Sequence, residues 1–205
     1  MATEFTATVK SSGGDYTTLN GALTGLQNDL TPATIKVFGI SAYTTPTLVA
    51  GDTMLGQTSA ATGVCVLVNA ARTQVLVKTI VGTFQSGEVV QKTADAGVTV
   101  TLSDAGDSPI AGIACSALTD TTAAVVSATW VTNATNYVRI YGAADGSATM
   151  PYGSGRYRLE PASAAGQVID VITNYVRIEG IQLTAIKTSG AAAHHGIRGA
   201  TITGA

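Results

Sequence analysis

Charge is scarce in this chain. Asp, Glu, Lys and Arg make up 12% of its 205 residues, where a soluble domain ordinarily carries about a quarter. Eleven basic residues against 13 acidic ones leave a net charge of −2. No basic field is there to hold a nucleic-acid backbone, so nucleic acid is not an expected partner. Long apolar runs are missing too: nothing approaches the ~20 residues of a membrane-spanning helix, and the opening MATEFTATVK has no signal-peptide apolar core. The expectation is a soluble protein, made in a cytoplasm, with no membrane partner. Cysteine is limited to Cys65 and Cys115, set among apolar or small residues. They read as two reduced core residues, with a disulfide as the alternative. Histidine is limited to His194 and His195. Neighbours on a strand point to opposite faces, and no Cys, Asp or Glu lies within ten residues of them. The pair therefore makes no metal site, and neither metal nor cofactor is expected. Gly13 and Gly14 lack the lysine of a phosphate-binding loop and read as a turn.

What the chain does have is 23 glycines, long stretches of Ala, Thr, Val and Ser, and repetition. TNYVRIYG at 135–142 returns as TNYVRIEG at 173–180, and RYRLEP at 156–161 places Arg158 nineteen residues after Arg139 and nineteen before Arg177. GIRGATI adds Arg198 twenty-one residues further on. Around the first three arginines apolar neighbours alternate, Val138 and Ile140, Tyr157 and Leu159, Val176 and Ile178, which is strand periodicity; Arg198 follows with Ile197 and Gly199. A period of about 20 residues with one strand each matches a parallel β-solenoid. In that register Arg139, Arg158, Arg177 and Arg198 form one outward ladder, with neighbouring Cα atoms about 5 Å apart.

Upstream, GGDYTTLNGALTGLQNDLTP (13–32) carries Leu19, Ala22, Leu23, Leu26 and Leu30 on one helical stripe. Asp15, Thr17 and Thr18 offer N-cap oxygens, and Pro32 ends the segment. The reading is a capping helix, with Leu19, Leu23 and Leu26 as its core, covering the open end of the first rung. TIKVFGI (34–40) follows as a strand of that rung. Residues 51–118 break the period and show short β runs at 64–68, 74–80, 88–91 and 98–102 between Gly and Thr turns. They read as an inserted small barrel or sandwich. The expected fold is all-β: a capping helix and first rung over 1–50, an inserted β domain over 51–118, and rungs over 119–205.

Two resemblances sit on these residues. GGDYTTLNGAL followed by a strand, together with NYVRIEGIQLTAI, resembles right-handed parallel β-helix proteins of the pectin-lyase-like class, over roughly 5–50 and 119–205. GQTSAATGVCV with LVKTIVGTFQSGEVV is similar to a small β module of tailed-bacteriophage virion proteins, whose pattern G-x-T-S-G-A-T-G-x-V is followed by G-T-F-x-x-G-E. Ala60 stands where that pattern has glycine. The resemblances imply a right-handed β-helix in a phage virion, with the inserted domain as a docking surface.

Three functions compete: a virion structural protein, either a surface decoration or a tailspike- or fibre-like appendage; a polysaccharide-degrading enzyme; and a polysaccharide-binding module without chemistry. Glycan cleavage needs clustered carboxylates. Among Asp120, Asp145, Glu160, Asp170 and Glu179, the pair Glu160 and Glu179 would share a face one rung apart, a spacing that fits a retaining glycosidase. Arg158 and Arg177 beside them give the same arrangement a second explanation, a surface ion-pair ladder, so no catalytic residue is assigned. Trp130, Tyr137, Tyr152, Tyr157 and Tyr175 are candidates for stacking on sugars or on each other. GIRGATITGA ends inside a rung, so either further rungs follow in a longer natural protein or another chain covers the end. The expected partners are other virion proteins and copies of this chain, a trimer being favoured, with a host-surface glycan next.

Overall fold

The computed structural model describes residues 1–143, 156–163, 167–184, 186–187 and 195–199. The chain forms two units, Met1–Thr6 with Leu30–Ile110, and Ala7–Asp29 with Ala111–Ala205. In chain order the elements are β1 (Ala2–Val9), α1 (Leu19–Gly25), β2 (Lys36–Tyr43), β3 (Thr53–Gly56), β4 (Thr62–Val68), β5 (Gln74–Val81), β6 (Val89–Lys92), β7 (Asp95–Leu102) and β8 (Ser108–Cys115). Then follow β9 (Leu118–Asp120), β10 (Ala124–Val126), β11 (Val138–Gly142), β12 (Tyr157–Leu159), β13 (Ala162–Ser163), β14 (Gln167–Val171), β15 (Val176–Glu179), β16 (Gln182–Leu183), β17 (Ile186–Lys187) and β18 (His195–Gly199).

The first unit is built on a closed barrel of order β2-β5-β4-β3-β6-β7, in which every neighbouring pair is antiparallel. Alternation makes these strands: in β7, Val98, Val100 and Leu102 point inward between Thr99 and Thr101. The interior is filled by Phe38, Met54, Val77, Phe84, Val90 and Val100 among others, each contributing about 1.5–3 kcal/mol by burial. Phe38 and Phe84 meet edge to face, with centroids 5.6 Å apart. Register shifts between Ile40 and Ala42, Thr62 and Val64, Cys65 and Leu67, and Gln91 and Lys92 supply the local bends that closing a short barrel requires.

The remaining strands form four short sheets, ordered β1-β8-β11-β15, β10-β14-β18, β16-β12-β9 and β13-β17, in which β8, β11 and β15, β10, β14 and β18, β9, β12 and β16, and β13 and β17 pair in parallel. The two octets lie side by side: Val138 pairs with Val176, Arg139 with Arg177 and Ile140 with Ile178. Their final glycines are forced by contact, because a Cβ on Gly142 would stand 2.4 Å from the carbonyl oxygen of Gly180, which itself has φ +62°.

Several sequence expectations are corrected. The chain does not form the expected right-handed parallel β-helix; a closed antiparallel barrel takes β2 to β7, and the parallel strands are divided among four small sheets. The strand read at 34–40 as part of a first rung is β2, which pairs with β5 and β7. The unit that holds the barrel comprises Met1–Thr6 and Leu30–Ile110. The long helix over 13–32 shrinks to the seven residues of α1. Its start is set by Thr18, whose Oγ1 accepts from the Gly21 amide. Asp15, expected near the cap, instead accepts from the Thr8 amide and hydroxyl. Gly21 and Gly25 weaken helical propensity within the segment. Leu19, Leu23 and Leu26 are buried, and α1 packs on β10.

Candidate functional site

The four-arginine ladder separates into three places. Arg139 and Arg177 are in direct register on β11 and β15. Arg158 lies on β12 between Thr119 and Gln182, and Arg198 lies on β18 opposite Asp170. The nineteen-residue spacing thus marks a change of sheet, whereas the 38-residue spacing of the octets marks a true neighbour. Glu160 and Glu179 are separated in the same way. Arg158 Nη1 holds Glu160 at 3.1 Å, while Glu179 on β15 accepts from Arg139 Nη2 at 2.8 Å and Nε at 3.3 Å. Glu160 follows β12 and Glu179 ends β15, strands of different sheets, and each carboxylate is held by its own arginine.

What β11 and β15 bring together is an arginine and tyrosine face. The guanidinium of Arg177 lies 4.2 Å over the Tyr137 ring, and that of Arg139 lies 4.5 Å over the Tyr141 ring. Strand alternation places Arg139 and Tyr141 on one face with their in-register partners Arg177 and Glu179 beside them, and Tyr137 and Tyr175 stand just ahead of the two strands. The hydrogen bond from Arg139 holds the Glu179 carboxyl below its ordinary range, and the charges of Arg139 and Arg177 add to this. Tyr175 is 51% exposed and sits at φ +52°, a conformation that a bulky residue adopts only at a cost of about 1–2 kcal/mol. Of the other aromatic candidates, Trp130 and Tyr157 are buried core residues, closed to sugars, and Tyr152 lies outside the described residues. The stacking expected between Tyr137 and Tyr175 gives way to Arg177 on Tyr137. On the third sheet Arg198 donates from Nε to Asp170 at 3.0 Å.

Two buried carboxylates act as anchors. Asp120 is 3% exposed and accepts from the Tyr157 hydroxyl at 2.6 Å, the Leu19 amide at 2.7 Å and the Thr122 amide at 2.9 Å. It thereby satisfies one of the free amides at the start of α1 and ties the helix to β9 and β12. Burial, with Asp120 as hydrogen-bond acceptor, pushes the Tyr157 phenol far up. In the barrel Glu88 is 4% exposed. Its Oε1 accepts from the Thr58 amide at 2.9 Å and the Ser59 amide at 2.6 Å; its Oε2 accepts from the Ser59 hydroxyl and the Gln85 amide, both at 2.9 Å. Burial alone would raise the carboxyl, but the donors from Ser59, Gln85 and Thr58 outweigh it and hold the pKa below 4.5. Sequence reading missed this role, although the signal was present: Thr58, Ser59, Gln85 and Glu88 all lie inside the two halves of the phage-module pattern. Ala60, which stands where that pattern has glycine, has φ +55°, the region where glycine is at home.

The remaining candidates hold less chemistry. Cys65 and Cys115 are both free and buried; burial pushes the Cys65 thiol to about 12, which makes it a poor nucleophile. Among the described residues no three His, Cys, Asp or Glu side chains cluster as metal ligands, and His194 lies outside them. No helix of the described residues is long and apolar enough to cross a membrane. A barrel cleft of about 310 Å³ is lined by Thr34, Lys36, Phe38, Ile80, Thr83 and Phe84 among others.

Compared with known proteins, the chain matches no family model, no curated protein and no solved structure.

Proposed function

We propose that the chain is a structural component of a tailed-bacteriophage virion, a surface decoration or appendage that works by docking to other virion proteins and to copies of itself, a trimer among the arrangements. The observation that carries this reading is the Glu88 anchor. Three residues at fixed positions of the phage-module pattern, Thr58, Ser59 and Glu88, take part in the bonds that hold the 57–60 turn to the Glu88 carboxylate of a closed barrel, so part of the resemblance lies in a buried contact of the barrel. The barrel is the docking surface in this reading, and the virion is where the protein works. Mass spectrometry of gradient-purified particles from the phage that encodes this chain tests it. The chain should copurify at a fixed copy number, and loss of the barrel should release it; recovery only in the soluble host lysate would overturn the reading.

A second reading, binding of a polysaccharide, has one observation in its favour: the exposed Tyr175 ring beside Arg177 stacked on Tyr137 offers a ring face and a cation to an acidic sugar. Incubation of the chain with acidic and neutral polysaccharides checks it. Retention that disappears in Tyr175→Ala would support binding, and release of oligosaccharides would call for retesting Glu160→Gln and Glu179→Gln.

A further inference from the structure

Strand β1 ends the order β1-β8-β11-β15, so one of its edges faces no strand of that sheet. The backbone groups of alternate residues point to the same edge of a strand. The Val9 carbonyl accepts from the Ser116 amide, just past β8, at 3.0 Å, so the groups of Glu4, Thr6, Thr8 and Lys10 point the other way. A parallel neighbour of a residue donates to the carbonyl before it and accepts from the amide after it. At Val9 that neighbour is Tyr16, whose amide donates to the Thr8 carbonyl and whose carbonyl accepts from the Lys10 amide, both at 3.0 Å. At Phe5 a side chain makes the same two bonds: Gln74 Nε2 donates to the Glu4 carbonyl at 2.8 Å, and Gln74 Oε1 accepts from the Thr6 amide at 3.0 Å. At Ala7 two side chains share them, Asn69 Nδ2 donating to the Thr6 carbonyl at 3.4 Å and Asp15 Oδ2 accepting from the Thr8 amide at 2.7 Å. Three successive pairing positions are thus filled without a strand.

We propose that this false strand is an edge lock, which keeps a strand of a second copy from extending the sheet at β1. The segment needs one. Phe5, Ala7 and Val9 are fully buried and alternate with Thr6 and Thr8, so ATEFTATV is a run of strand-forming residues with a single charge, Glu4. Such a run pairs edge to edge when its backbone groups are open, and a second copy brings the identical run. Edges are commonly guarded by lysine or proline; β1 has neither, and saturation of its hydrogen bonds takes their place. The lock holds its own shape. Asn69 is 5% exposed, and its Oδ1 accepts from the Thr73 amide at 2.9 Å and the Gln74 amide at 3.1 Å, which fixes the turn from which Asn69 and Gln74 reach β1. The inference does not rest on the virion reading: it concerns an edge that copies do not use, and its failure would leave docking through the barrel as it stands.

The test uses the whole chain, with hydrogen exchange at Thr6 and sedimentation velocity over a range of concentrations. In dilute Gln74→Ala the Thr6 amide should exchange roughly tenfold faster than in wild type. Concentrating that variant should bring species larger than any of wild type, in which the exchange slows again. Gln74→Lys should free the Thr6 amide equally but keep the wild-type mass, since a charge at a strand edge opposes pairing without restoring the bonds. Gln57→Ala, at an exposed barrel glutamine bonded to Gln91, should change neither measurement. A Thr6 amide as slow in Gln74→Ala as in wild type would overturn the false strand, and a freed amide with no larger species would overturn the lock. Larger species to the same extent in Gln74→Lys would overturn it too, because they would come from a loosened barrel and not from strand pairing.

Discussion

Replacing Glu88 with glutamine isolates the charge of the barrel anchor while keeping its size. The carboxylate serves four donors, the amides of Thr58, Ser59 and Gln85 and the hydroxyl of Ser59. An amide keeps one acceptor oxygen, which can stay with Thr58 and Ser59. Its NH2 then faces the Gln85 amide, donor against donor, while the Ser59 hydroxyl can turn to accept. One buried amide loses its partner and two bonds lose their charge, so Glu88→Gln should cost about 2–4 kcal/mol at pH 7. Alanine would strip every donor and bring the loss close to the whole stability of a small domain, about 5–15 kcal/mol, which makes glutamine the informative change. The folded pKa lies below its ordinary value of 4.5, so the carboxylate's contribution is fully present above that value and is lost as pH falls through the folded pKa. The difference between wild type and variant should be constant above about pH 5.5 and shrink below about pH 4.5. The only tryptophan, Trp130, belongs to the other unit. The assay is therefore urea denaturation read by hydrogen exchange at β5 and β7. A variant within about 0.5 kcal/mol of wild type at pH 7, or a difference that does not narrow in acid, would refute the anchor.

Ala60→Gly should stabilise the barrel by about 0.5–1 kcal/mol, because relief of a left-handed backbone outweighs the added freedom of the unfolded chain; Ala60 is exposed and loses no packing. A lower denaturation midpoint would contradict the strain. Gly142→Ala drives a Cβ to 2.4 Å from a backbone oxygen and should cost about 1–3 kcal/mol, read by Trp130 fluorescence during urea unfolding; an unchanged midpoint would mean that the octets are not stacked as described. Tyr157→Phe removes the 2.6 Å bond to Asp120 and should cost about 1.5–3 kcal/mol by the same fluorescence assay, since the acceptor is ionised and buried; a neutral result would deny the anchor role of Asp120.

Local chemistry in the sequence determined much of the barrel. The runs read at 64–68, 74–80, 88–91 and 98–102 fall on β4, β5, β6 and β7, because alternation and Gly or Thr turns act within a few residues. The octets carried the 38-residue repeat, but the nineteen-residue spacing set Arg158 between Arg139 and Arg177, which are in direct register. Which sheet a strand joins was decided only in three dimensions. β2 reads equally well as a rung strand, yet it pairs with β5 and β7 because the apolar faces of Phe38 and Val100 must close on the same interior; that requirement has no local signature. The even spacing of Arg139, Arg158 and Arg177 looked like one repeat, but a strand of three to five residues can turn into another sheet between two arginines without disturbing the count. Glu160 and Glu179, similar in their sequence setting, are therefore separated, Glu160 after β12 and Glu179 in β15, strands of different sheets, each with its own arginine. Glu88 and Asp120 show the same limit from the other side. A carboxylate becomes an anchor only when distant amides converge on it, Thr58 and Ser59 thirty residues away for Glu88, Leu19 a hundred residues away for Asp120. Burial sets the worth of those bonds, and burial belongs to the assembled chain.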